Sequence, residues 1–397
     1  MTQQRRRAWA YLSRVIEGPS RNLQQLFDAG REPEAIAQAV RCREGWIGGL
    51  LAETETRYTW DRADDDLAIV QRNGGRMICP DDDEWPAEVF DSAFGFASSG
   101  WSEHTRSYQS DAVPPHVLWV RGGNLRQLSS HSVAIVGTRA ASNYGVQATR
   151  MISAGLLDHQ YTLISGGALG VDTVAHSEAL TRGGSTIIVQ ACGLDKKYPA
   201  KNSALFDAAA TRDNCAIVSE YPPELSPQRH RFLTRNRLVA ALSQGTVVTE
   251  AAWRSGALNT LSWAAAFGRV AMAVPGPITT SGSLGCHERI RRGDAEMVCS
   301  AEEVRELVSK IGEVDVGGQY EIDFAASPIQ KLSRNEMRVF DVTGPNPVDS
   351  MQIAQGAGLP VKLTVFLLMD LSRQGLIERV GNGWCRRVSD ENSGTSG

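Results

Sequence analysis

The chain lacks the signatures of several large protein classes. No C-x-x-C pair occurs among its seven cysteines, which lie scattered at Cys42, Cys79, Cys192, Cys215, Cys286, Cys299 and Cys385. The odd count and wide spacing exclude a disulfide framework and a zinc motif, and they fit a reducing, cytoplasmic location. No apolar run approaches the ~18 residues of a membrane span. After Arg5-Arg6-Arg7, the stretch Ala8 to Ile16 is interrupted by Ser13 and Arg14, so it does not read as a signal peptide. No G-x-x-x-x-G-K-[ST] occurs, which argues against a P-loop NTPase. The turn Ser165-Gly166-Gly167-Ala168-Leu169-Gly170 has adjacent glycines and so is not a dinucleotide fingerprint. No cofactor and no metal are expected. The formal net charge of −4 excludes a globally basic nucleic-acid binder but not a local basic patch.

What is present is a soluble composition, 42% hydrophobic and 22% charged, over 397 residues, enough for two or three domains. Residues 1–75 read as a small helical domain, with Trp9, Leu12, Val15 and Ile16 at helix spacing. Asp64-Asp65-Asp66 is read as the acidic start of a helix, not a metal site. Residues 76–311 read as an α/β domain with its core at 131–311, and 91–112 as a loop or insertion. Strands are predicted at Val133–Val136, Leu163–Ser165, Thr186–Gln190, Ala216–Ser219, Thr246–Thr249 and Val270–Val274. Helices are predicted between them, including Val171–Arg182 and Phe232–Leu242. Regular alternation of this kind implies a doubly wound parallel sheet with ligands beyond the carboxyl ends of its strands. Residues 312–328 read as a linker. Residues 329–388 read as three helices and an Asn-Gly hairpin, a winged-helix-like domain, and 389–397 as a polar tail.

Two strand-to-glycine units stand out, Val133 to Arg139 and Thr162 to His176. Each is either a structural tight turn or an anion seat, and two in succession favour an anion-binding crevice. Arg139 is the nearest counter-charge. The stretch Gln228 to Arg237 holds four arginines, one histidine and Phe232, with no acid. Cations with an interleaved ring suit phosphates and bases. Asp172 and His176 share a helix face; a structural role is preferred over an acid–base pair. Glu250 ends a strand and could touch a ribose or act as a base.

These stretches resemble the DNA-processing protein A family (DprA, also called Smf). The resemblance runs from about residue 114 to 310. It is carried by Val-Gly-Thr-Arg at 136–139, Ser-Gly-Gly-Ala at 165–168 and Gly-Val-Asp-Thr-Val-Ala-His at 170–176. Tyr198-Pro199, Ser219-Glu220-Tyr221-Pro222-Pro223, Arg235-Asn236-Arg237, Glu250-Ala251, Ser255-Gly256-Ala257-Leu258 and Ala273-Val274-Pro275-Gly276 follow in the family's order. It implies an extended Rossmann-like domain that binds single-stranded DNA, promotes RecA loading in recombination and natural transformation, and forms a homodimer. It implies no catalysis. By motif, Arg139, Ser165, Gly166, Gly167, Arg235, Asn236 and Arg237 would hold phosphates, Phe232 would stack on a base, and Arg229 and Lys196 would add contacts. The chain departs from the family at Leu233, where proline is usual and the loop is expected to be less rigid, at Cys286-His287, and at Asp294. The alternative reading is a Rossmann-like nucleotide phosphoribohydrolase related to the lysine-decarboxylase-like family. Only Gly245-Thr246 and Glu250 echo its motif.

Overall fold

A computed structural model describes residues 1–99, 111–309 and 332–387. Contacts divide them into two compact units, one holding Met1–Ser99 and the described residues up to Val304, the other the described residues from Arg305 onward.

The first unit begins with helices α1 (Gln3–Val15), α2 (Arg21–Asp28), α3 (Pro33–Cys42), α4 (Leu50–Glu53) and α5 (Ala63–Arg72). Each of the first two is capped as its sequence dictates: the Thr2 and Ser20 side chains accept the Arg5 and Leu23 amides. The three aspartates occupy the first turn of α5, where the helix dipole favours them. Asp66 turns inward and binds the buried Arg14. The remaining elements alternate: β1 (Gly75–Ile78), α6 (Ala87–Ser98), β2 (Leu118–Gly122), α7 (Leu125–Ser129), β3 (Ser132–Val136), α8 (Asn143–Asp158), β4 (Thr162–Ser165), α9 (Val171–Arg182), β5 (Thr186–Gln190), α10 (Ser203–Ala210), β6 (Cys215–Ser219), α11 (Arg229–Ala241), β7 (Gly245–Val248), α12 (Ala257–Ala266), β8 (Val270–Ala273), α13 (Leu284–Arg291), β9 (Glu296–Met297) and α14 (Ala301–Val308).

The strands form one sheet in the order β1-β2-β6-β5-β4-β3-β7-β8-β9. From β6 to β9 every neighbouring pair is parallel, while β1 and β2 extend the edge antiparallel. This is the α/β, doubly wound arrangement expected. β3 to β5 are buried at every residue because both faces are covered. Alternate side chains serve opposite cores: Ile187 and Val189 join Phe94, Leu238 and Trp263 on one face, while Ile188 joins Trp9, Leu12 and Phe206 on the other. The N-terminal helices therefore share the sheet's core and do not close one of their own. Among the described residues, no single helix is long and apolar enough to cross a membrane.

Two departures from the sequence reading have plain causes. Residues 91–98, expected in a loop, lie in α6, whose Phe90, Ala93 and Phe94 bury a helical stripe; residues 100–110 lie outside the described residues. The expected helix Phe232–Leu242 starts earlier, at Arg229, so the segment around Leu233 is helical and not a loop. With leucine in place of proline, the residue-233 amide can join the helix.

The second unit holds α15 (Arg334–Val342), β10 (Val348–Asp349), α16 (Ser350–Ala357), α17 (Val361–Arg373), β11 (Ile377–Val380) and β12 (Gly383–Arg386). Ser333 and Glu336 close a reciprocal capping box on α15. Three helices precede a hairpin, as the sequence indicated. The register Val380↔Gly383 makes Gly381-Asn382 the two-residue turn, one position earlier than Asn-Gly, and β10 adds a third strand. Val339, Ile353, Leu368, Leu371 and Trp384 form its core.

Candidate nucleic-acid interface

The crossover reverses between β3 and β7, so a crevice is expected at their carboxyl ends. In this chain Glu250 fills it. Its carboxylate accepts from the Ser142 amide (2.9 Å) and the Ser142 hydroxyl (2.7 Å), and it packs against Gly145 at the start of α8. A residue held in this way is a clamp between β7 and α8, not a base aimed at a substrate.

The two glycine units meet one strand over. The Val171 amide donates to the Thr138 carbonyl (3.2 Å), and a side chain at Gly170 would overlap the Thr138 and Arg139 backbone. Gly170 has φ +82°, a conformation that favours glycine. This close approach carries Arg139 to the rim of the second turn.

That turn is braced from within. Asp172 accepts from the Gly166 amide (3.1 Å) and the Ala168 amide (3.2 Å). The Ser165 hydroxyl donates to the Ile135 carbonyl (2.6 Å), and Asn202 donates to the Gly167 carbonyl (2.9 Å). The Gly166 and Ala168 amides therefore already serve a carboxylate. Burial pushes Asp172 up, with the Arg235 charge and these hydrogen bonds working against it.

The basic stretch resolves into different tasks. Arg235 is buried, donates to the Val189 carbonyl (2.5 Å), and lies so close to Gly166 that a methyl group there would overlap its guanidinium. Arg231 donates to Glu17 (2.6 Å) and to the Ser226 carbonyl. Asn236 donates to Asn259 (3.2 Å), tying α11 to α12. Arg237 is 0% exposed and pairs with Glu220 beneath the sheet's end. As placed here, Arg237 reaches no solvent-borne phosphate. The sequence concealed this because a helix that buries most of its circumference can draw its arginines inward onto buried partners.

Other members do face outward together. Phe232 lies half-buried, with the Arg139 guanidinium 5.4 Å from its ring centre and the Tyr198 ring 5.5 Å away. Tyr198 is 44% exposed. Arg139 is exposed beside the two rings, and the exposed Lys196 side chain lies 3.3 Å from Asp195. Arg229, exposed at the first turn of α11, has no ion pair among the described residues. Tyr198 was quoted only as part of a motif. Its position behind Lys196-Lys197, a ring following two cations, was the signal that marked it. Cys286 is buried, His287 Nε2 lies 2.9 Å from the Gly276 carbonyl, and Asp294 pairs with Arg289 at 2.9 Å, so these departures stabilise their own loops.

His176 does not pair with Asp172. Its Nδ1 lies 2.8 Å from the Thr186 hydroxyl, and burial, with a smaller contribution from Arg235, pushes its pKa down to about 3 from 6.5. The unfolded chain takes up this proton near 6.5, whereas the folded chain resists it to about 3. The neutral imidazole thus contributes stability fully above the unfolded value, and that contribution falls as pH drops through the window between the two. His176→Asn should be less stable at pH 7.5, yet lose stability more slowly on acidification, by up to about 1.4 kcal/mol per pH unit. Denaturant titrations at several pH values check this; parallel curves would refute it.

The comparisons with known proteins point to one family. The family described as "DNA recombination-mediator protein A" matches residues 76–309. A putative DNA processing protein DprA from Mycobacterium tuberculosis is 42% identical over 95% of this chain and 93% of its own length. Protein Smf from Escherichia coli K12 is 36% identical over 68% of this chain and 72% of its own. Among solved structures, DNA processing protein A from Streptococcus pneumoniae superposes with a TM-score of 0.59 at 28% identity, covering 76% of this chain and 97% of that one.

Proposed function

This chain belongs to the DNA recombination-mediator protein A (DprA/Smf) family, and from that premise we propose that it binds single-stranded DNA across the carboxyl ends of β3, β4 and β5. The observation that carries the reading is the exposed cluster of Tyr198, Phe232 and Arg139. Unpaired bases have free faces to stack on rings, and a duplex does not, so two half-open rings beside a cation favour a single strand. Arg139, Lys196 and Arg229 hold phosphates. Arg235 supplies charge from beneath the Ser165-Gly166-Gly167 turn, which sets the floor of the groove. Asn236 and Arg237 support α11. The protein acts by binding and not by catalysis. Glu250, the carboxylate that echoes the phosphoribohydrolase motif, is engaged by Ser142, which counts against that alternative.

Binding should be tight for single strands, weaker for duplex and steeply salt-dependent. Arg139→Ala should weaken it several-fold and flatten the salt slope by roughly 0.7, the value for one phosphate contact on a single strand. Gel shifts over a salt series measure both; an unchanged slope and affinity would remove Arg139 from the groove. We also propose that the bound strand is passed to RecA and that the protein works as a homodimer. Filament assembly by RecA with and without the protein, and sedimentation of the protein alone, test these two points.

A further inference from the structure

On the other side of the α11 N-terminus lies a cavity of about 610 Å³, within the ordinary range for small-molecule sites. One wall is α11 with the Tyr221-Leu225 segment; the other is the N-terminal helical segment around Glu17 and Trp60. The motifs that pointed to the groove, from Val136 to Gly276, lie outside this second wall.

The lining is rich in cations. Arg231 (2.6 Å), Arg57 (2.8 Å) and His230 (3.3 Å) all converge on the single carboxylate of Glu17. Burial alone would raise Glu17, but these three partners hold it below the usual carboxylate range. Arg14 also lines the cavity, already matched by Asp66, and Asp111 adds a second acid to the lining. Glu17 and Asp111 offset the charges of Arg57 and Arg231, so the pull on an anion comes from guanidinium N–H donors that one carboxylate cannot fill and from the start of α11, a 13-residue helix with no acid in its first turn and no side-chain cap. Trp60, 49% exposed, offers an indole face to the same space, with the Tyr221 ring on the opposite wall. An anion-seeking wall facing an open indole suits a ligand that is part anion and part flat ring.

We propose that this cavity seats one nucleotide unit, a base with its phosphate. The base lies against Trp60, and the phosphate meets Arg57, His230 and the α11 N-terminus. In a bound strand this is the next station beyond the Phe232 groove, since His230 and Thr234 face the cavity while Phe232 faces Tyr198. The inference rests on the reading that the chain binds single-stranded DNA. It adds that the N-terminal helices form part of the binding surface.

The test uses the full chain, a long thymidylate oligonucleotide and free dTMP. Trp60→Ala should weaken oligonucleotide binding by about fivefold or more, the loss expected of one stacked base, while Trp60→Phe retains most of the affinity. Trp60 is half exposed, so both variants should melt with the parent. Oligonucleotides carrying 4-thiothymidine should cross-link to the peptide containing Trp60. Wild-type binding of dTMP that Trp60→Ala abolishes would make a free nucleotide the occupant; no dTMP binding, with the oligonucleotide loss intact, would make it the strand. An unchanged Trp60→Ala beside a weakened Phe232→Ala would overturn this inference alone. The reverse pattern would keep the cavity and remove the groove, and two unchanged variants would overturn both.

Discussion

Arg237→Ala should lower the unfolding free energy by about 3–5 kcal/mol, one of the largest losses a single substitution can cause in this chain. Arg237 and Glu220 are both fully buried and face each other. Removing the guanidinium leaves a carboxylate that burial already pushes up, with no counter-charge in reach. Most of the expected loss is the penalty of that stranded charge and not the worth of the pair. The double variant Arg237→Met with Glu220→Leu should therefore recover most of the stability, because apolar groups of similar volume can replace a buried pair at little cost. Chemical denaturation of the three proteins measures this. The opposite pattern, unchanged stability with weaker DNA binding and a flatter salt slope, would make Arg237 a phosphate ligand after all.

That contrast marks how far the sequence could be read. The parallel strands were legible because β3 to β6 are short apolar runs bounded by glycine and polar residues, and the topology followed from the helices between them. Val171–Arg182 came out to the residue because Gly170 and Gly183 bracket it. The site was legible as a neighbourhood but not as contacts. Arg229, Arg231, Arg235 and Arg237 look alike in sequence. Their separate roles depend on Glu17, Asp172 and Glu220, which arrive from distant parts of the chain. The glycine turn was found for its ligand-like pattern, yet its close packing is used on Asp172 and Arg235 within the fold. Tyr198 stands in a motif behind two lysines, but nothing local shows that its ring meets Phe232 across more than thirty residues.

Phe232→Ala should cost about 1–3 kcal/mol of single-strand binding, the range for one base stacked on one ring. The loss should appear with little change in salt slope, since no phosphate contact is removed; this separates it from Arg139→Ala, where slope and affinity fall together. Phe232→Trp should retain binding and Phe232→Leu should not, because the base needs a π face and not merely an apolar one. Tyr198→Ala should cost less alone. Its ring contacts Phe232, so the double variant should lose less than the sum of the two single losses. Arg139 sits over the same ring, so any drop in slope for Phe232→Ala marks the part of the loss that belongs to Arg139's lost positioning. A Phe232→Ala/Arg139→Ala cycle isolates that part. Fluorescence anisotropy of labelled oligonucleotides at two salt concentrations provides every value needed. Wild-type affinity for Phe232→Ala at both would mean that the strand does not pass over this ring.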